Sequence, residues 1–140
     1  MTTLFSLLRQ VCGLSQREAA DFLDARLDTV KSWSAGRNPT PPGVIDALAD
    51  LANRIDAAAD GAVGKIVEQI ARHGDGGVVE LGVAADDHEA QSLGWPCGSA
   101  HGMVIGLTAS RALAEGHTVD VVPRGSTVAT AAAIEIHEKS

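Results

Sequence analysis

Apolar residues recur at helical spacing through the first half of the chain. Near the N-terminus they predict a helix that Thr2 or Thr3 caps and that ends near Cys12. Its apolar face follows the i, i+3, i+4, i+7 pattern and is expected to belong to a core, with Cys12 close to it: Leu4, Leu7, Leu8 and Val11.

The stretch from 15 to 39 predicts two short helices joined by a tight connection. Ser15 and Glu18 have the spacing of a capping box, which marks the start of the first helix. The second helix is predicted from about Leu27 to Ala35, because Gly36 offers a left-handed stop. Small residues let the helices cross closely, over an apolar set: Ala19, Ala20, Leu23, Val30 and Trp33. Such a pair is typical of a helix-turn-helix, whose second helix can enter the DNA major groove.

A long helix is predicted after the stiff proline-rich turn, from Gly43 to about His73. Its apolar residues repeat mostly at threes and fours from Ile45 to Ile70, close to a heptad seam. Beyond Ile55 the seam needs a partner outside the N-terminal domain. That partner is either the C-terminal segment or the same helix of a second subunit.

The glycine-rich segment from 73 to 77 is the clearest boundary in the chain. After it the pattern predicts a strand over 78–83, an acidic loop over 84–94, a helix from a Ser99 cap to about Glu115, and a strand over 118–122. The predicted apolar face of that helix is Met103, Val104, Leu107, Ala109 and Leu113. The tail leaves two alternatives open, since 129–133 favours a helix and 134–136 alternates like a strand.

Composition limits the compartment and the core. Hydrophobic residues make up 45% of the chain but aromatic residues only 3%, so the core must be mainly aliphatic. We find no run of 18 apolar residues and no signal-peptide pattern, which predicts a protein that is neither transmembrane nor exported. The two cysteines, Cys12 and Cys97, are expected to be reduced thiols in the cytoplasm.

The net charge of −7 argues against a general nucleic-acid binder. The charge is uneven, however. Residues 1–60 hold six basic and eight acidic side chains, whereas residues 61–140 hold five and ten. A weakly charged first half is compatible with specific DNA binding over a low non-specific background.

Candidate chemistry in the C-terminal half is sparse. Cys97 and His101 have a spacing that can ligate zinc, but a structural zinc site needs four ligands. As a nucleophile pair they lack an identifiable orienting partner. Glycine-rich phosphate-binding motifs are absent from the sequence. We therefore predict no enzyme activity, no metal site and no cofactor.

The chain resembles the Cro/C1-type (XRE-like) helix-turn-helix regulators. The matching residues are Ser15, Gln16, Glu18, Ala20, Thr29, Val30, Trp33, Gly36, Arg37 and Pro39. Two positions depart from the family pattern. Asp24 replaces the turn glycine, which aspartate can do because it tolerates the left-handed region. Arg26 replaces the usual N-cap of the recognition helix, so the turn could be shifted by one residue.

The chain is also similar to the anti-CRISPR-associated autorepressors of phages and mobile elements. The shared features are the W-x-x-G-R motif at 33–37, the run from Val44 to Ile55, and a helix that ends in Glu115-Gly116-His117 before a strand. This resemblance implies a helix-turn-helix domain joined to a small C-terminal dimerisation domain. It also implies a homodimer that represses its own operon from an inverted repeat.

Roles for the DNA-contacting residues follow from the resemblance together with groove chemistry. Gln16 is expected to bind a phosphate at a helix N-terminus. Base-edge contacts are expected from residues predicted to face outward on the second helix: Leu27, Asp28, Lys31 and Ser32. The expected phosphate contacts are Arg17, Arg26 and Arg37. Each charged residue could instead be part of a solvated face, and Asp28 could serve only to stabilise the helix N-terminus.

The predicted fold is mainly α with a small α+β appendage. It comprises a lambda-repressor-like helix-turn-helix domain over 1–60, a helix end and linker over 61–77, and an α+β dimerisation domain over 78–140. The predicted function is sequence-specific repression on double-stranded DNA as a homodimer, with no membrane partner. The dimer interface is expected in 78–122 and part of the 55–73 helix, because two strands rarely form a stable sheet alone. The alternatives are a ligand- or metal-responsive regulator and an antitoxin-type interaction module.

Overall fold

The chain is mainly helical with one small sheet. The structure, a computed structural model, describes residues 2–74, 77–124 and 134–138. The elements in chain order are α1 (Leu4–Val11), α2 (Gln16–Leu23), α3 (Leu27–Ala35), α4 (Pro42–His73), β1 (Gly77–Val83), α5 (Asp87–Ser92), α6 (Gly98–Ala114), β2 (Val119–Pro123) and β3 (Ile134–Glu138). They form two compact units, residues 1–55 and 56–140, so the boundary falls within α4.

Helix α1 buries a different face from the one predicted. Thr3 caps it by accepting the Ser6 N–H, as expected. The line that faces the core, however, consists of Phe5 and Cys12, which are buried, and Leu8, which is half-buried between them. Three of the four predicted core residues are about half exposed or more: Leu4, Leu7 and Val11. Both lines have i, i+3, i+7 spacing and lie one residue apart, so the pattern alone could not separate them. The aromatic residue decides, because the Phe5 ring packs 5.6 Å from that of Trp33.

The core of the first unit is aliphatic around that ring pair. Cys12 is fully buried and its thiol donates to the carbonyl of Leu48 on α4 at 3.3 Å. Burial raises the pKa of the Cys12 thiol to about 11, so it stays neutral and unreactive at physiological pH. Trp33 is 9% exposed, as expected of a core residue. The remaining buried residues of this core are Leu14, Ala19, Ala20, Val30, Leu48, Leu51 and Ile55.

Helix α4 runs over nearly the predicted range and starts at Pro42, where a missing N–H costs nothing. Its seam residues Leu48 and Ile55 are buried in the first unit, together with Leu51, which the predicted seam did not include. Further along, Ile66 is fully buried in the second unit. The partner of the distal seam is therefore the C-terminal segment of the same chain.

The second unit contains a three-stranded sheet in the order β2-β1-β3. Strands β1 and β2 are parallel, with Val79 paired to Val119 and Leu81 to Val121. Strand β3 runs antiparallel to β1, so the strand alternative for the tail is confirmed over 134–138. The proposed helix over 129–133 lies outside the described residues. Because β3 completes the sheet within one chain, the reason for expecting a dimer interface in 78–122, that two strands rarely form a stable sheet alone, does not hold for this sheet. The position of the dimer interface itself stays a prediction.

The core of the second unit lies between the sheet and two helices. Ile66 of α4 and Ile105 of α6 pack with Val79 and Leu81 of β1. Ala112 completes the buried set, and Ile70 lies half-buried against it. Ile66 is therefore covered, and Ile70 partly covered, by residues of the same unit. They do not supply the free apolar surface that the sequence suggested for contact with a second subunit.

Two features around α6 differ from expectation. Its N-cap is Cys97 and not Ser99, and the first N–H, of Gly98, donates to the Asp87 carboxylate at 2.8 Å. The predicted acidic loop contains α5, where Asp86 accepts from the N–H of Glu89. Leu113, predicted on the apolar face of α6, is 57% exposed.

None of the helices in the described ranges combines the length and apolar character needed to cross a membrane.

Candidate nucleic-acid interface

The start of α2 is fixed by a complete capping box. The Ser15 hydroxyl accepts from the N–H of Glu18 at 3.0 Å, and the Glu18 carboxylate accepts from the N–H of Ser15 at 2.9 Å. Gln16 and Arg17 are therefore held at the first two positions of a rigid helix. Arg17 is exposed and Gln16 is half-buried, so both can reach a ligand at this helix end.

The connection from α2 to α3 spans three residues. Asp24 adopts the left-handed conformation, with φ 51° and ψ 47°, as its replacement of a turn glycine predicted. The N–H of Ala25 then donates to the carbonyl of Ala20 at 2.9 Å and closes the helix end. Arg26 is the N-cap of α3 without a side-chain hydrogen bond, and the turn is not shifted.

Helix α3 is held by its buried side and by hydrogen bonds at its C-terminal end. Val30 and Trp33 are buried, and Gly36 ends the helix at φ 77°. The hydroxyls of Thr3 and Ser6 each lie 3.2 Å from the carbonyl oxygen of Ser34. These contacts satisfy a carbonyl that the helix end leaves without an intrahelical partner. They attach α1 to the C-terminal end of α3, a brace that no short motif in the sequence indicated.

The outward face of α3 carries a small set of polar side chains. Asp28 and Lys31 are exposed and lie three residues apart, so they are neighbours on one face. Leu27 is half-buried at the first helical position. The prediction that Ser32 faces outward is wrong. Ser32 is 9% exposed, and its hydroxyl accepts from the Asn38 side-chain amide at 2.7 Å.

The three arginines proposed for phosphate contacts are all exposed. Arg17 lies at the start of α2, Arg26 at the start of α3 and Arg37 just after its end. They thus occur at helix ends around the outward face of α3. Arg9 differs, since its Nη1 donates to the carbonyl of Leu14 at 2.6 Å and holds the α1–α2 connection.

Charge in the first unit is balanced, with six basic and six acidic residues in 1–55. The exposed surface around α2 and α3 includes Asp21 and Asp24 as well as Asp28. Carboxylates repel phosphates at close range. This surface can therefore hold DNA tightly only where specific contacts offset that repulsion.

Cys97 and His101 in the second unit each have a hydrogen-bond partner outside the pair. The Cys97 sulfur lies 3.2 Å from the Ser99 hydroxyl. His101 is 2% exposed, and its Nδ1 accepts from the N–H of Ala84 at 3.1 Å, which engages that nitrogen. Within residues 2–74, 77–124 and 134–138, no cluster of three or more His, Cys, Asp or Glu side chains could hold a metal ion.

No protein-family model and no curated protein matches the chain. A DNA-binding surface is inferred only from the residues and geometry of α2 and α3.

Proposed function

We propose that this protein is a sequence-specific DNA-binding repressor that acts as a homodimer on an inverted repeat upstream of its own gene. The observation that carries the proposal is the exposed face of α3. Asp28 and Lys31 project from a helix whose opposite side is buried through Val30 and Trp33. A helix of nine residues with one buried and one polar face has the dimensions for the major groove.

The chemistry of this face suits base edges. Lys31 can donate to guanine O6 and N7, and the Asp28 carboxylate can accept from cytosine N4. Leu27 is placed to contact a thymine methyl group. Gln16 and the exposed arginines 17, 26 and 37 would hold the phosphates on either side, which fixes the orientation of the helix without specifying sequence.

Substitution of Lys31 tests the proposal. The full-length protein is titrated by fluorescence anisotropy against its own upstream DNA and against a scrambled duplex. We expect Lys31→Ala to weaken specific binding by about 1–3 kcal/mol per contact, which is at least about fivefold in Kd. Lys65 is also exposed but lies on α4 in the second unit, so Lys65→Ala serves as the matched control and should bind like the wild type.

Two results would contradict the proposal. One is equal affinity of the wild type for the upstream and scrambled duplexes. The other is an unchanged affinity of Lys31→Ala for the upstream DNA while the protein stays folded, which would remove α3 as the base-contacting helix.

A further inference from the structure

Three large aliphatic side chains stand together on the surface of α1. Leu4, Leu7 and Val11 are 59%, 50% and 49% exposed and have the i, i+3, i+7 spacing of one helix face. We call these three residues the α1 stripe. The other large exposed aliphatic residues in the described ranges occur singly on α4, α6 and β2: Val67, Leu113 and Val121. Clustered apolar exposure marks interaction surfaces, whereas single exposed residues are ordinary.

A cavity of about 300 Å³ adjoins the α1 stripe, since Leu4 belongs to both. Its walls come from the start of α1, the end of α3, the turn before α4 and the first turn of α4 itself: Thr3, Leu4, Phe5, Trp33, Gly36, Asn38, Pro39, Thr40 and Ile45. None of these side chains is ionisable. The cavity is at the small end of the range for binding pockets and can accept an aliphatic side chain.

We propose that the α1 stripe and this cavity form the homodimer contact, with the stripe of one copy packed into the cavity of the other. A two-fold interface uses the same patch on both subunits, so the patch must complement itself. A projecting apolar stripe beside an uncharged hollow meets that requirement. The inference rests on the proposed function, which calls for two copies.

Charge favours a second copy at this surface. The net charge of −7 lies in the second unit, because residues 1–55 carry six basic and six acidic side chains, so the first unit as a whole does not repel an identical copy. Helix α1 contains no acidic residue, and the guanidinium of its only charged residue, Arg9, donates to the Leu14 carbonyl. The α1 stripe and the cavity wall are therefore a surface on which two copies can meet without like-charge repulsion.

The α1 stripe alone is too small for a stable dimer. A standard interface buries about 800 Å² per partner, so residues beside the three stripe residues must contribute to the contact. The exposed residues of the cavity wall add to that area: Gly36, Asn38 and Pro39.

The second unit offers less free apolar surface for contact with a second copy. Its isoleucines at 66 and 70 pack against its own core. The outer edge of β2 is also blocked. The N–H of Val121 points away from β1 and donates to the Asp120 carboxylate at 2.9 Å, and Pro123 has no N–H. Strand addition at this edge would have to break that hydrogen bond.

The test compares Leu7→Glu with Leu113→Glu in the full-length protein by sedimentation equilibrium over a range of concentrations. Both residues are exposed leucines on helices, one in each unit, so each variant should fold. We expect the wild type to be a dimer, the dissociation constant of Leu7→Glu to rise at least tenfold, and that of Leu113→Glu to stay within twofold. Val11→Lys, with a melting temperature measured beside it, replaces Leu7→Glu if that variant does not fold.

A monomeric wild type would overturn the proposal, and so would an unchanged dimer in Leu7→Glu or a dimer disrupted by Leu113→Glu. A fourth contrary outcome is a lower melting temperature of Leu7→Glu than of the wild type, measured at concentrations where the wild type is already monomeric. The last would mean that the surface packs within its own chain. Lys31→Ala separates this result from the DNA-binding proposal, because it should dimerise like the wild type. A wild type that dimerises through the α1 stripe but shows no preference for its upstream DNA would contradict the proposed function alone.

Discussion

At the scale of single residues, the exposed charges around α3 differ in what they can recognise. Arginine side chains at helix ends suit phosphates, which are the same at every base pair. An exposed carboxylate such as that of Asp28 is costly near phosphates unless it meets a base donor. The combination favours discrimination over raw affinity, which agrees with the balanced charge of residues 1–55.

Arg17→Ala and Arg37→Ala should weaken binding to operator and random DNA alike. Each lost phosphate contact lowers the slope of log Kd against log salt concentration by about 0.9, so a symmetric dimer should lose about 1.8 per substitution. Arg72→Ala is the control, since Arg72 is exposed on α4 and pairs with Glu68 in the adjacent turn. Titrations at several salt concentrations measure the slope. A loss confined to the operator, with the slope unaltered, would make these arginines base-contacting residues instead.

At the scale of elements, the α2–α3 turn depends on one strained position. Asp24 holds a left-handed conformation that costs most residues about 1–2 kcal/mol. Asp24→Gly should therefore be neutral or stabilising, and Asp24→Val should destabilise the protein by about that amount. Asp21→Val, an exposed residue in a right-handed helical conformation, should cost only a few tenths of a kcal/mol. Urea unfolding curves measure all three, and equal losses in the two valine variants would contradict this account.

The contact between His101 of α6 and Ala84, the residue that follows β1, should make stability depend on pH. Burial and the positive charge of Arg124 lower the pKa of His101, and Glu89 opposes them. The imidazole is thus neutral in the folded protein, with Nδ1 accepting from Ala84. Its contribution is complete above pH 6.5, the ordinary value of a histidine, and is lost as the pH falls below it.

The melting temperature of the wild type should therefore fall between pH 6.5 and 5. His101→Asn should be less stable at pH 7 but should show a smaller fall over that interval. His88→Gln, at an exposed position of α5, should follow the wild-type curve. An equally steep fall in His101→Asn would assign the pH dependence to other groups.

Elements with strong local signals could be predicted from the sequence. Helices α2 and α3 have nearly the expected bounds because the capping box and Gly36 act within a few residues. Helix α5 was missed although Asp86 and Glu89 have the D-x-x-E spacing of a helix start, because the density of acidic residues suggested a loop. The choice of buried face on α1 could not be predicted, since it depends on contact with Trp33, 28 positions away.

The candidate site shows the same limit. Exposure of Asp28 and Lys31 followed from helical spacing. Burial of Ser32 did not, because it results from Asn38 folding back over the helix end after the turn at Gly36. The inner support of α3 by Thr3 and Ser6 also depends on tertiary contacts between distant positions.

At the scale of the whole molecule, we propose that two copies present two α3 helices to an inverted repeat. The acidic balance of the chain would keep non-specific attraction to DNA weak, so occupancy of one site would have to come from paired half-sites. A single helix contacts only a few base pairs, whereas a dimer doubles the number of specific contacts.

The most direct test is hydroxyl-radical footprinting of the full-length protein on the DNA upstream of its gene. We predict two protected blocks related by two-fold symmetry, with centres one helical turn, about 34 Å, or a multiple of it apart. Both blocks should appear at the same protein concentration, and Lys31→Ala should weaken them together while Lys65→Ala leaves them unchanged. Uniform protection, or none, at concentrations where the protein is dimeric would contradict the account.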